Sequence, residues 1–173
     1  MGTRHCNVTV VASYPLDDGP FFLRYRSGFP LSKEEWPWQL RLSDVVFRVA
    51  HYSSPLVYWQ VDSTHVLNRF RDLDGLIVLH QSPVHQFVED GAMIAVDFAL
   101  WNICRVLEQL DRDYRSIPIV FHHLPGSEMS FQQAQENVER ALREEELEWP
   151  LSAWASQDEN PFEVLASLLL AHA

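Results

Sequence analysis

The chain has 173 residues, 47% of them hydrophobic, and its 24 acidic and 13 basic side chains leave a net charge of −11. Such a length fits one domain and such an apolar content a folded core, which excludes disorder as the ground state. A surface this negative repels phosphate backbones and anionic lipids, and no apolar run approaches the roughly 18–20 residues of a membrane-spanning helix, so neither nucleic acid nor membrane insertion is expected.

The opening Met-Gly-Thr-Arg-His-Cys lacks the apolar core of a secretory signal, and Cys6 stands where a myristoylation signal wants Ser or Thr. Cys6 and Cys104 lie far apart and read as buried thiols of a reducing compartment in preference to a disulfide. The expected location is cytoplasmic.

Taken in order, the apolar pattern predicts a first strand over Asn7 to Ala12. A loop with Pro15, Gly19 and Pro20 follows, then an irregular stretch to about Gln39 containing Gly28, Pro30 and Pro37. Leu40 to Tyr52 reads as one strand, Pro55 as a turn and Leu56 to Val61 as the next strand, the two forming an antiparallel hairpin. Gly75 to His80 is a short continuous apolar run, the pattern of a strand buried on both faces. Ser82-Pro83 then supplies an N-cap and first helical residue for a helix that is interrupted near Gly91 and runs to about Asp113. Met93, Val96, Leu100, Ile103, Leu107 and Leu110 form its inward stripe. Ile117 to His122 is a second buried strand, and Ser130 with Gln133 makes a capping box for a helix to about Glu145, with Val138, Ala141 and Leu142 inward. A short strand near Leu151 to Ala155 precedes a terminal helix capped by Asn160-Pro161, with Phe162, Leu165, Ala166, Leu168 and Leu169 as its apolar positions. Strand, loop, hairpin, then strand and helix in repetition specify a single α/β domain over 1–173. Its sheet is mostly parallel, with one antiparallel edge strand and helices on both faces. Ligands of such sheets bind beyond the carboxyl ends of the strands.

This order of elements resembles the Ras-like small GTPases, and among them the bacterial MglA-type GTPases of gliding motility and polarity. Leu73-Asp74-Gly75-Leu76-Ile77-Val78 is similar to the family's fourth strand, and Ser116-Ile117-Pro118-Ile119-Val120-Phe121 to the strand before the guanine-reading motif. The stretch Ala155-Ser156-Gln157-Asp158-Glu159-Asn160-Pro161-Phe162-Glu163-Val164-Leu165 is similar to the family's Ser-Ala loop and final helix. The resemblance covers nearly the whole chain and implies a three-layer fold of the P-loop NTPase type.

The departures from that pattern are legible in the same alignment. A phosphate loop reads G-x-x-x-x-G-K-[S/T], and the matching residues run Tyr14-Pro15-Leu16-Asp17-Asp18-Gly19-Pro20-Phe21. Gly19 alone survives; Pro20 replaces the phosphate-neutralising lysine and Phe21 the magnesium-ligating hydroxyl. Asp17 and Asp18 put carboxylates where phosphates would lie, and at an effective dielectric near 20 like charges about 5 Å apart repel by roughly 3 kcal/mol per pair. The metal and γ-phosphate motif falls at Asp62-Ser63-Thr64-His65, with His65 in place of its glycine. The base-reading motif falls at Leu124-Pro125-Gly126-Ser127, which has no carboxylate to accept from guanine. The helix after the phosphate loop is shortened or absent, since Gly28 and Pro30 break its span. No intact copy of either signature occurs elsewhere in the chain.

Other chemistry is weaker. His122 and His123 with Asp62 or His80 would make a metal cluster, but neighbours on a strand point to opposite faces, so structural roles are the better reading. No G-x-S-x-G elbow exists, and Cys104 on the long helix reads as a structural thiol. Trp36, Trp38, Tyr52, Tyr58 and Trp59 gather in the segment matching the family's switch regions and edge hairpin. They fit either a docking surface, where Trp and Tyr are enriched, or a core that fills the volume left by nucleotide and helix.

The expectation is therefore a non-enzymatic adaptor or scaffold that needs no cofactor. The resemblance implies a roadblock-fold, MglB-like regulator or a true small GTPase as partner. Two alternatives stand beside it: an unorthodox nucleotide-binding enzyme with altered loops, and a doubly wound domain that binds a small molecule.

Overall fold

A computed structural model describes residues 2–13, 18–26, 36–54, 70–81 and 95–172. Six strands form one sheet: β1 (Arg4–Ser13), β2 (Trp38–Leu42), β3 (Val45–Ser54), β4 (Gly75–His80), β5 (Ile119–His123) and β6 (Ser152–Ala155). Their spatial order is β2-β3-β1-β4-β5-β6. β1 pairs in parallel with both β3 and β4, the parallel set continues through β5 to β6, and β2 alone runs antiparallel, at one edge against β3. Among the described residues four α-helices accompany the sheet: α1 (Gly19–Leu23), α2 (Ala95–Gln109), α3 (Phe131–Glu144) and α4 (Pro161–Ala171). This is the three-layer α/β architecture the element order predicts.

Period-two alternation along each strand sorts the side chains into two cores. Val8 and Val10 of β1, Phe47 and Val49 of β3, Ile77 and Leu79 of β4 and Val120 of β5 face α1 and α4, where Phe21, Phe22, Phe162, Leu165 and Leu169 complete the layer. Val11, Leu76, Val78, Ile119 and Phe121 face the other way, onto Leu100, Ile103 and Leu107 of α2 and Val138 and Leu142 of α3. All six residues of β4 are buried, as the unbroken apolar run requires. α4 crosses β4 so closely that a β-carbon on Gly75 would sit 3.0 Å from Leu165 Cδ1. Asp74 ties the start of β4 to β1, its Oδ2 accepting from Asn7 N–H at 2.7 Å.

Two expectations need correction. The span read as a single strand from Leu40 to Tyr52 is itself the hairpin, β2 turning into β3 through Ser43 and Asp44, with Ser43 at φ 50°. The polar pair Ser-Asp is a turn signal, outweighed in the sequence by the apolar residues on either side. The further strand placed over Leu56 to Val61 lies outside the described residues, as do the cap at Ser82-Pro83 and the stripe residue Met93. The second correction is the end of α2, expected near Asp113 and found at Gln109. Asp111 takes the left-handed φ of 55° there, and Arg112 N–H donates back to Leu107 C=O at 2.9 Å. Glu146 ends α3 in the same way, with Leu147 N–H donating to Leu142 C=O. The capping box on α3 forms as expected, Gln133 N–H donating to Ser130 Oγ and Ser130 N–H to Gln133 Oε1. Asn160 caps α4 through Phe162 N–H.

Candidate functional site

The loops beyond the carboxyl ends of β1, β5 and β6 are where the sheet would hold a ligand. Of the residues matching a phosphate loop, Tyr14 and Asp17 lie outside the described residues, while Asp18, Gly19, Pro20 and Phe21 open α1. This helix has five residues and Pro20 in its first turn, in keeping with the shortening expected from the sequence. Phe21, which the resemblance sets at the hydroxyl position of a phosphate loop, is 3% exposed. Its ring lies 5.2 Å from Phe22, 5.1 Å from Tyr25, 5.6 Å from His122 and 6.2 Å from Phe162, centroid to centroid. The side chain therefore joins α1 to the carboxyl end of β5 and the first turn of α4.

Asp18 sits at the N-cap but makes no side-chain capping bond. Its Oδ2 instead lies 2.6 Å from His51 Nε2 near the end of β3. When the imidazole is protonated this is an ion pair joining the start of α1 to β3. His51 also stacks edge-on with Phe22 and lies beside Trp36. Sequence reading missed this residue. Its signal is the alternation Val45, Phe47, Val49, His51, which puts the imidazole on the α1 face.

The Leu124–Ser127 loop, which the resemblance sets at the base-reading motif, is tied to the end of β4. Leu124 is buried and its N–H donates to His80 C=O at 2.8 Å. Gln81 Nε2 donates to Pro125 C=O at 2.9 Å. Gly126 has φ +80°, a conformation that favours glycine, and a β-carbon there would meet Gln81 Nε2 at 3.2 Å. At the β6–α4 turn, Ser156 N–H donates to Glu159 Oε2 at 2.7 Å. That hydrogen bond holds the Glu159 carboxyl below its usual range. Arg24, whose Nη1 donates to Gln157 C=O, ties this turn to α1.

Three histidines end β4 and β5, and all are buried: His80 is 1% exposed, His122 0% and His123 6%. Burial lowers the pKa of each, to about 4 for His80 and His122, so all three rings are neutral at pH 7. His122 faces Phe21, whereas His80 and His123 are register partners on the opposite face and stack with centroids 5.8 Å apart and planes 24° apart. Lone pairs lie in the ring plane, so stacked rings direct theirs side by side and not toward a shared ion. Among the described residues no group of three or more His, Cys, Asp or Glu side chains is placed to hold a metal. Asp62 to His65 lie outside them. Cys6 and Cys104 are buried and free, and burial pushes both thiols up, Cys104 to about 12, away from any nucleophilic role at neutral pH.

The aromatic residues offered as a docking surface separate. Trp38 is 5% exposed on the α1 and α4 face, and Tyr52 is buried on the α2 face against Phe70, so both rings are core. Trp36 is half-buried over Phe22. Tyr58 and Trp59 lie outside the described residues. No helix among the described residues is long and apolar enough to cross a membrane. No protein-family model matches the chain, and no curated protein matches it.

Proposed function

We propose that the chain is a non-catalytic Ras-like domain that neither binds nor hydrolyses GTP and works in the cytoplasm as a protein-interaction adaptor or scaffold. The observation that carries the reading is the burial of Phe21 in aromatic packing, at the position where a nucleotide site needs a hydroxyl open to a metal ion. Three further features support it. Asp18 turns a carboxylate into the space beside α1. The Leu124–Ser127 loop carries no carboxylate for guanine and is clasped by Gln81. The sequence contains one lysine, Lys33, thirteen positions beyond Pro20 and outside any G-x-x-x-x-G-K pattern. The partners the resemblance implies are a roadblock-fold regulator of the MglB kind or a true small GTPase. Leu23, exposed on α1, and the half-buried Tyr25 and Trp36 beside it are the apolar groups such a partner would cover.

The test has two arms. Denaturing the purified protein and separating released small molecules by chromatography should give no guanine nucleotide; near-stoichiometric GDP or GTP overturns the reading. Titration against a purified roadblock-fold protein or small GTPase recovered with the chain should show saturable binding. Trp36→Ala should weaken that binding at least tenfold while the urea midpoint stays within error; equal binding by the variant removes this surface from the proposal.

A further inference from the structure

The histidines that end β4 and β5 have a consequence independent of any nucleotide. His80 and His123 are packed face to face without a carboxylate between them, and Nδ1 of each has no hydrogen-bond partner among the described residues. His122, one residue along and on the other face of the sheet, has neither ring nitrogen in a well-formed hydrogen bond there. The packing around them is apolar or aromatic. Trp154 of β6 lies edge-on to His80 at 6.1 Å, Phe131 at the start of α3 lies 5.9 Å from His123, and Phe21 of α1 covers His122. Among the described residues, the Ala155 backbone and Glu159 favour protonation of His122, while Arg24 and His123 oppose it. His80 feels His123, and His123 is held down by burial while a hydrogen bond with the Met129 backbone partly favours its charged form. A proton taken up by the stack has no described counter-ion, and the second imidazole repels it.

These same residues hold the loop after β5. The His80 carbonyl anchors Leu124 and Gln81 anchors Pro125, while Trp154 makes edge strand β6 part of the same cluster. We propose that the carboxyl ends of β4 and β5 form a proton-operated latch, in which charging the His80–His123 stack and His122 releases the 124–130 loop and β6 before the rest of the sheet opens. The pairing pattern favours that order: β6 is a four-residue edge strand paired on one side, whereas β1 is held by β3 and β4 on both sides. The sign follows from proton linkage. A histidine depressed to about 4 in the closed form and ordinary in the opened form leaves the latch fully closed above pH ~6.5 and favours opening as pH falls toward 4. At pH 5 each such histidine raises the opening constant about thirtyfold.

Hydrogen exchange followed by mass spectrometry, corrected for intrinsic rates, tests this on the full chain at pH 7 and pH 5. The expected result is at least a tenfold gain in exchange over 119–131 and 152–156, with less than threefold in β1 and β3. In the double variant His80→Phe/His123→Phe that gain should fall at least tenfold, the share of His122 remaining. Equal protection at the two pH values, a uniform gain across the sheet, or an undiminished local gain in the folded double variant overturns the proposal. Should the double variant fail to fold at pH 7, ring-proton NMR titration of the wild-type histidines decides. Titration of His80 and His122 below pH 5, in step with the local opening, supports the latch; titration near 6.5 with protection intact overturns it.

Discussion

The phenyl ring at position 21 is large and apolar, and it is drawn into the layer between α1 and α4. Removing it should therefore cost what a large core truncation costs. Phe21→Ala is expected to lower unfolding free energy by about 3–5 kcal/mol in urea titration. Rebuilding a Gly-Lys-Ser sequence with Pro20→Lys and Phe21→Ser should give a less stable protein that still holds no guanine nucleotide, because Asp18 and the closed Leu124–Ser127 loop remain. Trp38 is a subtler case. Its indole N–H is buried with no hydrogen-bond partner among the described residues, so Trp38→Phe sheds an unsatisfied donor worth ~1–3 kcal/mol while losing packing of similar size. The net change should stay within about 1 kcal/mol, against about 3–5 kcal/mol for Trp38→Ala. A large loss in the phenylalanine variant would mean that the N–H is in fact bonded. The thiols give a third check. With both buried and Cys104 raised to about 12, neither should react with a disulfide reagent at pH 8 until denaturant is added.

Among the elements, α3 is the best specified by its own sequence, and its capping box gives a measurable share. Ser130→Ala removes the acceptor for Gln133 N–H and should cost about 1 kcal/mol, read as a shift in urea midpoint with unchanged slope. Such local chemistry explains which elements could be read in advance. The continuous run Gly75–His80, the box at Ser130 and the cap at Asn160 each carry their signal within a few residues, and each matches the structure. The end of α2 does not, because Asp111 adopts the left-handed conformation that glycine usually signals. The β2–β3 hairpin was hidden for a related reason: Ser43-Asp44 turns the chain without glycine or asparagine. The packing around α1 left no such local signal. That Phe21 would stack on His122 and Phe162, or Asp18 meet His51, depends on the crossing of α1 over the sheet. Contacts between residues more than 30 positions apart leave no periodic trace.

For the whole molecule, two electrostatic effects oppose one another as pH falls. The net charge of −11 repels itself at neutral pH, so protonating carboxylates should ease folding. Against this, His80 and His122 must each be charged in the unfolded chain while remaining neutral in the fold. Magnitudes decide the outcome. At pH 5 most carboxylates, with ordinary values near 4, are still ionised, so relief of self-repulsion is small. At the same pH each of the two histidines, shifted from 6.5 to about 4, costs about 2 kcal/mol. Together they take a large fraction of the 5–15 kcal/mol typical of a domain. The predicted outcome is a urea midpoint that falls steadily from pH 7 to pH 5, with most of the loss below pH 6. His122→Phe should flatten that dependence by roughly half. Added salt should shift the curves at all pH values together, since it screens the surface charges and not the buried rings. A midpoint that instead rises toward pH 5 would mean that the surface term outweighs the buried imidazoles.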